Sequence, residues 1–320
     1  MLDVYTLTAS ETEAATVAEF GACLSVHADK AFAERFEALT NNRALIQKLD
    51  NLLARDDNAL IVDLIAELSA QFGPADGHMT AASIILSDKL FLEPMFDRIG
   101  PATYPVNFAS AMFDLDERKN KVSGQGMLRT MGVSAQTLMM LVRGTQTGKL
   151  GIAAIRMKDI ELAPTQTVSS IAEFEVDTHP RHFRKLNGNG VEKAIKEVCV
   201  TNYALALGVM RAARLAAEAH SKDHMLFGKP LGQHQATQMR LSQGVVNEEL
   251  LRAIAIRQHS EFGALSNMQD AMVRKVRALI QYSITDMAHL HGAESVLGRT
   301  WIPFLDLKSL ALGLIDDSIA

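Results

Sequence analysis

Residues 204–243 read ALALGVMRAARLAAEAHSKDHMLFGKPLGQHQATQMRLSQ. The first half has no Pro and is dense in Ala and Leu, which cost least in a helix. FGKPLG, from Phe227 to Gly232, then interrupts the run. Gly ends a helix readily, Pro cannot continue one, and Phe227 is expected to pack at the corner. A second helical run opens at His234-Gln235. Two long helices joined by so short a corner lie side by side, as in an antiparallel bundle.

The first of these helices extends back to a joint at Gly188-Asn189-Gly190. Its apolar positions run around much of its circumference, so it is expected to be buried on several sides. A third helix is read over 268–292 and a fourth over about 302–316. Residues 188–320 are therefore expected to form a four-helix bundle.

Upstream, residues 101–187 change character. SAMFDLDERKNKVSG (110–124) reads as a hairpin turning at Glu117–Lys121. TLMMLVRG, LGIAAIRM and IAEFEVD are short and separated by polar or Gly-containing joints, which suggests a small, mostly antiparallel sheet of about five or six strands. Residues 1–100 read as helices. NNRALIQKLDNLLARDDNALIVDLIAELSAQFG (41–73) carries a Leu45, Leu49, Leu52, Leu53 stripe and a Leu60, Leu64, Leu68 stripe, ended by Gly73-Pro74. The fold class expected is mainly α, in three parts: 1–100 helical, 101–187 β, 188–320 bundle.

Composition narrows the function classes. Of 320 residues, 48% are hydrophobic and 22% charged, the balance of a folded globular chain. The net charge of −5 leaves no broad basic face, so nucleic acid is not an expected partner. Two cysteines, Cys23 and Cys199, imply no disulfide framework. The acidic N-terminus and the lack of a long apolar run point to a cytoplasmic chain with no membrane span. GxSxG, Walker and GxGxxG loops are absent. His220 and His224 have metal-compatible i, i+4 spacing, and His289 and His291 add two more imidazoles. With no Cys among them and Glu294 the one nearby carboxylate, no metal site is expected. Met139, Met140, Met210 and Met225 read as core before acyl pocket. Arg211 and Arg214 read as solvated or inter-subunit charges.

The corner resembles the signature of the acyl-CoA dehydrogenase family, Arg-x-x-Phe-Gly-Lys-Pro-Leu followed by His-Gln. Phe227, Gly228, Lys229, Pro230, Leu231, His234 and Gln235 match it. VSGQGMLRTMGVSAQTLMMLVR (122–143) resembles the family's strand pair, with Gly124, Thr130, Ala135 and Arg143 in register. AHLHGAESVLGRTW (288–301) is similar to Gln-x-His-Gly-Gly at His291 and Gly292, and VDTHPRHFRKLNG (176–188) carries a weaker likeness. The likeness covers residues 120–320. It implies a helical domain, a small β domain and a four-helix bundle, with FAD as cofactor and an acyl-CoA thioester as substrate.

The family's reaction removes an α-proton and a β-hydride together, so it needs a desolvated carboxylate base and donors on the thioester oxygen. The resemblance places that base at Leu314 or at Val198, neither of which is acidic. Glu197 is the candidate catalytic residue beside Val198, although one residue is about 100° around a helix. The candidate cofactor-binding residues are Thr130, His224, Phe227, His289 and Gly292. His224 stands where the family has an Arg that bridges the FAD pyrophosphate across a subunit interface, and an imidazole cannot make that bidentate contact. Leu128 replaces the flavin-stacking Trp, Ala293 and Ser295 replace glycines, and the span from Tyr104 to Ser123 cannot hold the family's Thr-Glu-Pro-x-x-Gly-Ser-Asp segment. Such erosion resembles the short chain of two-gene α2β2 enzymes of sterol side-chain degradation. A hetero-tetramer with a larger acyl-CoA dehydrogenase chain is the expected assembly. A self-sufficient homo-oligomer and a non-catalytic scaffold are the alternatives.

Overall fold

The computed structural model describes residues 58–73, 102–106, 108, 113–129, 135–164, 171–261 and 266–292, with isolated positions between 15 and 48. Helix α1 (Asn58–Phe72) is followed by strands β1 (Ala102–Thr103), β2 (Phe113–Asp116), β3 (Lys121–Arg129), β4 (Thr137–Gly144), β5 (Leu150–Arg156), β6 (Glu161–Pro164), β7 (Ile171–Thr178) and β8 (His182–Lys185). Helix α2 (Gly188–Asp223), a small hairpin of β9 (Met225–Leu226) and β10 (Lys229–Pro230), and helices α3 (Gln235–Glu261) and α4 (Ser266–Leu290) complete the order. The helix read over 302–316, the base position Leu314, and Thr130, Ala293 and Ser295 lie outside the described residues.

The sheet is larger and less uniform than expected. Among the described residues it has eight strands, in the order β6-β7-β3-β2-β4-β5-β8 with β1 beside β4. The expected hairpin is present, with Asp116 opposite Lys121. Two pairings are parallel: β1 on β4 at Thr137–Leu138, and β2 on β4 from Val142 to Gly144. Both strands therefore share one edge of β4. The strands not read were the two-residue β1, the four-residue β6 and the polar β8, none of which shows a run of apolar alternation. Among the described residues the expected class therefore holds in part: four long helices stand beside a substantial mixed sheet. The Ala-, Met- and Leu-rich runs of β4 and β5, helix-favouring in isolation, sit in strands because the sheet buries them on both faces. Leu138, Met140 and Val142 join one cluster with Ala153 and Ile155. Met139 and Leu141 join another, with Ile152, Ala154 and the α2 side chains Ala194 and Val198.

Helix α2 is the centre of the molecule. Every residue from Glu197 to Arg211 is buried. The glycines read as a joint are its first turn, with Asn187 as N-cap accepting from the Gly190 N–H at 2.7 Å. Helices α1, α3 and α4 pack around α2, and α1 takes one corner of the bundle. Gly208 makes that crossing possible: a Cβ there would meet the Ala66 carbonyl oxygen and stand 2.5 Å from Ser69 Cβ. The Ser69 hydroxyl donates to the Leu205 carbonyl at 3.0 Å. Along α3 and α4, buried positions recur at helical spacing, as at Gly244, Glu248, Leu251 and Ala255, and at Val276, Ile280, Ser283 and Met287.

Charges are threaded through this bundle. Arg252 makes a bidentate pair with Asp63, both contacts at 2.6 Å. Arg214 holds Glu248 at 2.6 and 3.2 Å and also pairs with Glu218. Arg211 holds Glu67 at 3.1 Å and lies 3.8 Å from Glu248. Arg211 and Arg214 are therefore not solvated surface charges; Arg211 is buried, Arg214 is half-buried, and both are paired within the chain. Burial pulls the Arg211 guanidinium down to about 10, partly opposed by Glu248.

Candidate functional site

The corner quoted from the sequence is a hairpin, not a packed turn. Helix α2 ends at Asp223 with His224 as its cap, the His224 N–H donating to His220 O at 2.9 Å. Leu226 then pairs with Lys229 and Met225 with Pro230. Phe227 and Gly228 form the two-residue turn, with φ of 50° and 77°. Such left-handed turns suit paired strands, and Gly228 meets the demand without strain whereas Phe227 does not. Phe227 does not pack at the corner: it is 90% exposed, at the tip. His234 Nε2 lies 3.0 Å from Leu226 O, and its ring meets Phe227 edge-on at 6.4 Å.

A row of imidazoles joins the hairpin to the end of α4. His224 stacks on His220 at 4.8 Å, and His220 on His291 at 4.4 Å. Both helices present their C-termini here. His291 is buried, His224 and His289 are exposed, and Gly292 has φ of 60° with open space around it. The structure thus brings His224, Phe227, His289 and Gly292 to one end of the bundle. His220, weighed in the sequence only as a metal candidate, and His234, read there only as part of the corner motif, tie the group together. Their spacing from His224 and from Leu226 was the available signal.

Glu197 is elsewhere. It is 1% exposed, within α2, where the Thr201 hydroxyl donates to its backbone carbonyl at 2.7 Å. At 1.5 Å per residue, the 27 positions to His224 place the two about 40 Å apart along one helix. They do not form one site within the chain. Val198, its neighbour, is buried in the cluster between α2 and the sheet. Nearby, the Tyr104 hydroxyl donates to Asn202 Oδ1 at 2.7 Å, closing the seam. At the end of β3, Leu128 is part of the sheet's core and Arg129 is also buried. Met139, Met140 and Met210 are core residues, whereas Met225 is exposed beside Phe227. Among the described residues, no helix is long and apolar enough to cross a membrane.

No protein-family model matches the chain. The benzylmalonyl-CoA dehydrogenase of Aromatoleum aromaticum (strain DSM 19018 / LMG 30748 / EbN1) is 32% identical over 100 residues, 31% of this chain. That match spans about a quarter, 24%, of the relative's length. The ChsE4-ChsE5 complex from Mycobacterium tuberculosis superposes with a TM-score of 0.61 at 14% identity, covering 96% of this chain and 93% of the other. A Tcur3481-Tcur3483 steroid ACAD variant gives 0.60 at 15%, over 95% and 92%. A glutaryl-CoA dehydrogenase from Mycobacterium smegmatis in complex with FADH2 gives 0.61 at 12%, over 96% and 90%. The fold of this chain is that of the acyl-CoA dehydrogenases.

Proposed function

We propose that this chain is the short subunit of an FAD-dependent, hetero-oligomeric acyl-CoA dehydrogenase, contributing to a site completed by a larger partner. The observation that carries this reading is the hairpin tip. Phe227 holds a left-handed backbone conformation and is 90% exposed, so its own chain gains little from it. With the imidazole of His224 beside it, the tip suits the diphosphate end of a nucleotide cofactor held mainly by another chain. When bound, the flavin supplies the hydride acceptor. The flavin end does not fit the described residues of this chain: the family's stacking aromatic is replaced by Leu128, buried in the sheet core. The 40 Å between Glu197 and His224 also favours sites shared between chains, and Val198 offers no carboxylate. Exposed Met239, Val246 and Leu250, along one side of α3, supply an apolar stripe for assembly. The likeness to the ChsE4-ChsE5 complex and to the Tcur3481-Tcur3483 steroid ACAD agrees with a partner. A steroid or other bulky CoA thioester is the substrate class that the steroid ACAD suggests.

The test is the visible spectrum of the purified chain, alone and co-expressed with the product of the neighbouring gene. A colourless chain that turns yellow only with its partner supports the proposal. A fully flavinated, active homo-oligomer overturns it and favours a second reading, in which the desolvated Glu197 is the base. In that case Glu197→Gln abolishes turnover while FAD is retained.

A further inference from the structure

The two ends of the sheet carry opposite charge. At one end, β6 is an edge strand in which Glu161 lies directly opposite Glu175, with Glu173 beside Ala163. On the same face, Glu173 neighbours Met127 and Glu175 neighbours Gln125 on β3. All three carboxylates are exposed, and they line a groove with Met127 and Leu162. The adjoining Asp177 is bridged by Lys121 at 2.7 Å; among the described residues, Glu161, Glu173 and Glu175 have no such cation. Like charges placed directly opposite in a sheet oppose its stability. Their concentration on one groove therefore calls for a cationic neighbour.

At the other end, β8 is the second edge strand among the described residues, where it pairs with β5 alone. A groove there is lined by Lys149, Leu150, Lys185, Leu186 and Val191, and Phe183 is exposed on the same strand. Neither lysine is in an ion pair among the described residues. This is a basic, partly apolar groove on a chain of net charge −5. Its complement in charge and in exposed apolar side chains is the β6 end of the same sheet.

We propose that copies of this chain associate through these two sheet edges, the Lys149–Lys185 groove of one against the Glu161–Glu173–Glu175 groove of the next. The contact joins two different surfaces, so it propagates instead of closing on a two-fold axis. Being built on exposed charges, it is screened at physiological salt and above. It is separate from the hairpin tip and from α3, so it adds to whatever assembly those make.

Sedimentation velocity of the complete chain, with its partner if it purifies with one, tests this across protein and salt concentration. The expected result is a mass that rises with concentration at low salt and falls back at 0.5 M salt, about 0.5 M being well beyond effective screening. Glu161→Lys/Glu175→Lys and Lys149→Glu/Lys185→Glu should each weaken self-association by about ten-fold or more. Mixing the two variants should restore it, since each then carries the edge that the other lacks. The milder Glu173→Gln, with circular dichroism alongside, guards against a folding defect. A mass independent of salt, or reversed-charge variants that associate like the wild type, overturns the proposal. Binding of oligolysine without self-association also overturns it, in favour of a basic partner.

Discussion

Arg252 and Asp63 are 189 residues apart in sequence and form a bidentate, buried ion pair at 2.6 Å. The pair clamps α1 onto α3. Removing one member of such a pair leaves the other charge buried and uncompensated, at a cost of about 3–5 kcal/mol, whereas replacing both with apolar residues is often nearly neutral. Arg252→Met alone is therefore expected to lower the urea midpoint sharply, and Asp63→Leu added to it to recover most of the loss.

The α1–α2 crossing depends on the missing side chain at Gly208. Gly208→Ala pushes a methyl onto the Ala66 carbonyl and Ser69. Overpacking of this kind costs about 1–3 kcal/mol. Thermal unfolding should show a fall of several degrees, with Ser69→Gly in the same chain restoring part of it.

Phe227→Gly separates folding from assembly. It relieves a left-handed residue, worth about 1–2 kcal/mol, and removes no core contact. The isolated chain should be as stable as the wild type or more so. The assembled enzyme should lose flavin retention. A variant that keeps both would count against the cofactor role proposed for the tip.

Acid should loosen the β2–β3 hairpin. The backbone N–H of Lys119 is the main cause holding the Asp116 carboxyl below its usual value, with Gln146 and the Arg118 N–H adding to it against some desolvation. A depressed carboxyl stabilises the fold above its unfolded value, and that stability is lost as pH falls through the folded one. Carbon-detected NMR titration should find Asp116 protonating below the other exposed aspartates, and Asp116→Asn should flatten the acid limb of hairpin unfolding.

Cys199 should be inert. Burial pushes its thiol up to about 12, and the thiolate is the reactive form. In a Cys23→Ser background, a thiol-disulfide reagent at pH 8 should label nothing until denaturant is added.

Much of the bundle could be read from the sequence because its signals are local. The Ala-rich run marked α2, Gly73-Pro74 marked the end of α1, and His234-Gln235 marked the start of α3. The mixed sheet was less legible. β1 is too short for periodicity, and the parallel pairs on β4 depend on contacts that no local pattern encodes. For the proposed cofactor site, the residues near Phe227 were picked out by resemblance, but the exposure of Phe227 was not foreseen. Apolarity suggests burial, and only the hairpin geometry turns that ring outward. The pairing of Arg211 and Arg214 was likewise hidden, because their partners Glu67 and Glu248 lie on other helices.

The clamp between Asp63 and Arg252 also sets an order of events during synthesis. Helix α1 leaves the ribosome long before α2 and α3 exist. At roughly 5–20 residues per second, Asp63 waits about 10–40 s for Arg252. Throughout that interval Leu64, Ile65 and Leu68 have no bundle to enter, and a carboxylate destined for burial must stay hydrated. A helix that ends up buried on nearly every side thus stays in water until its distant arginine arrives.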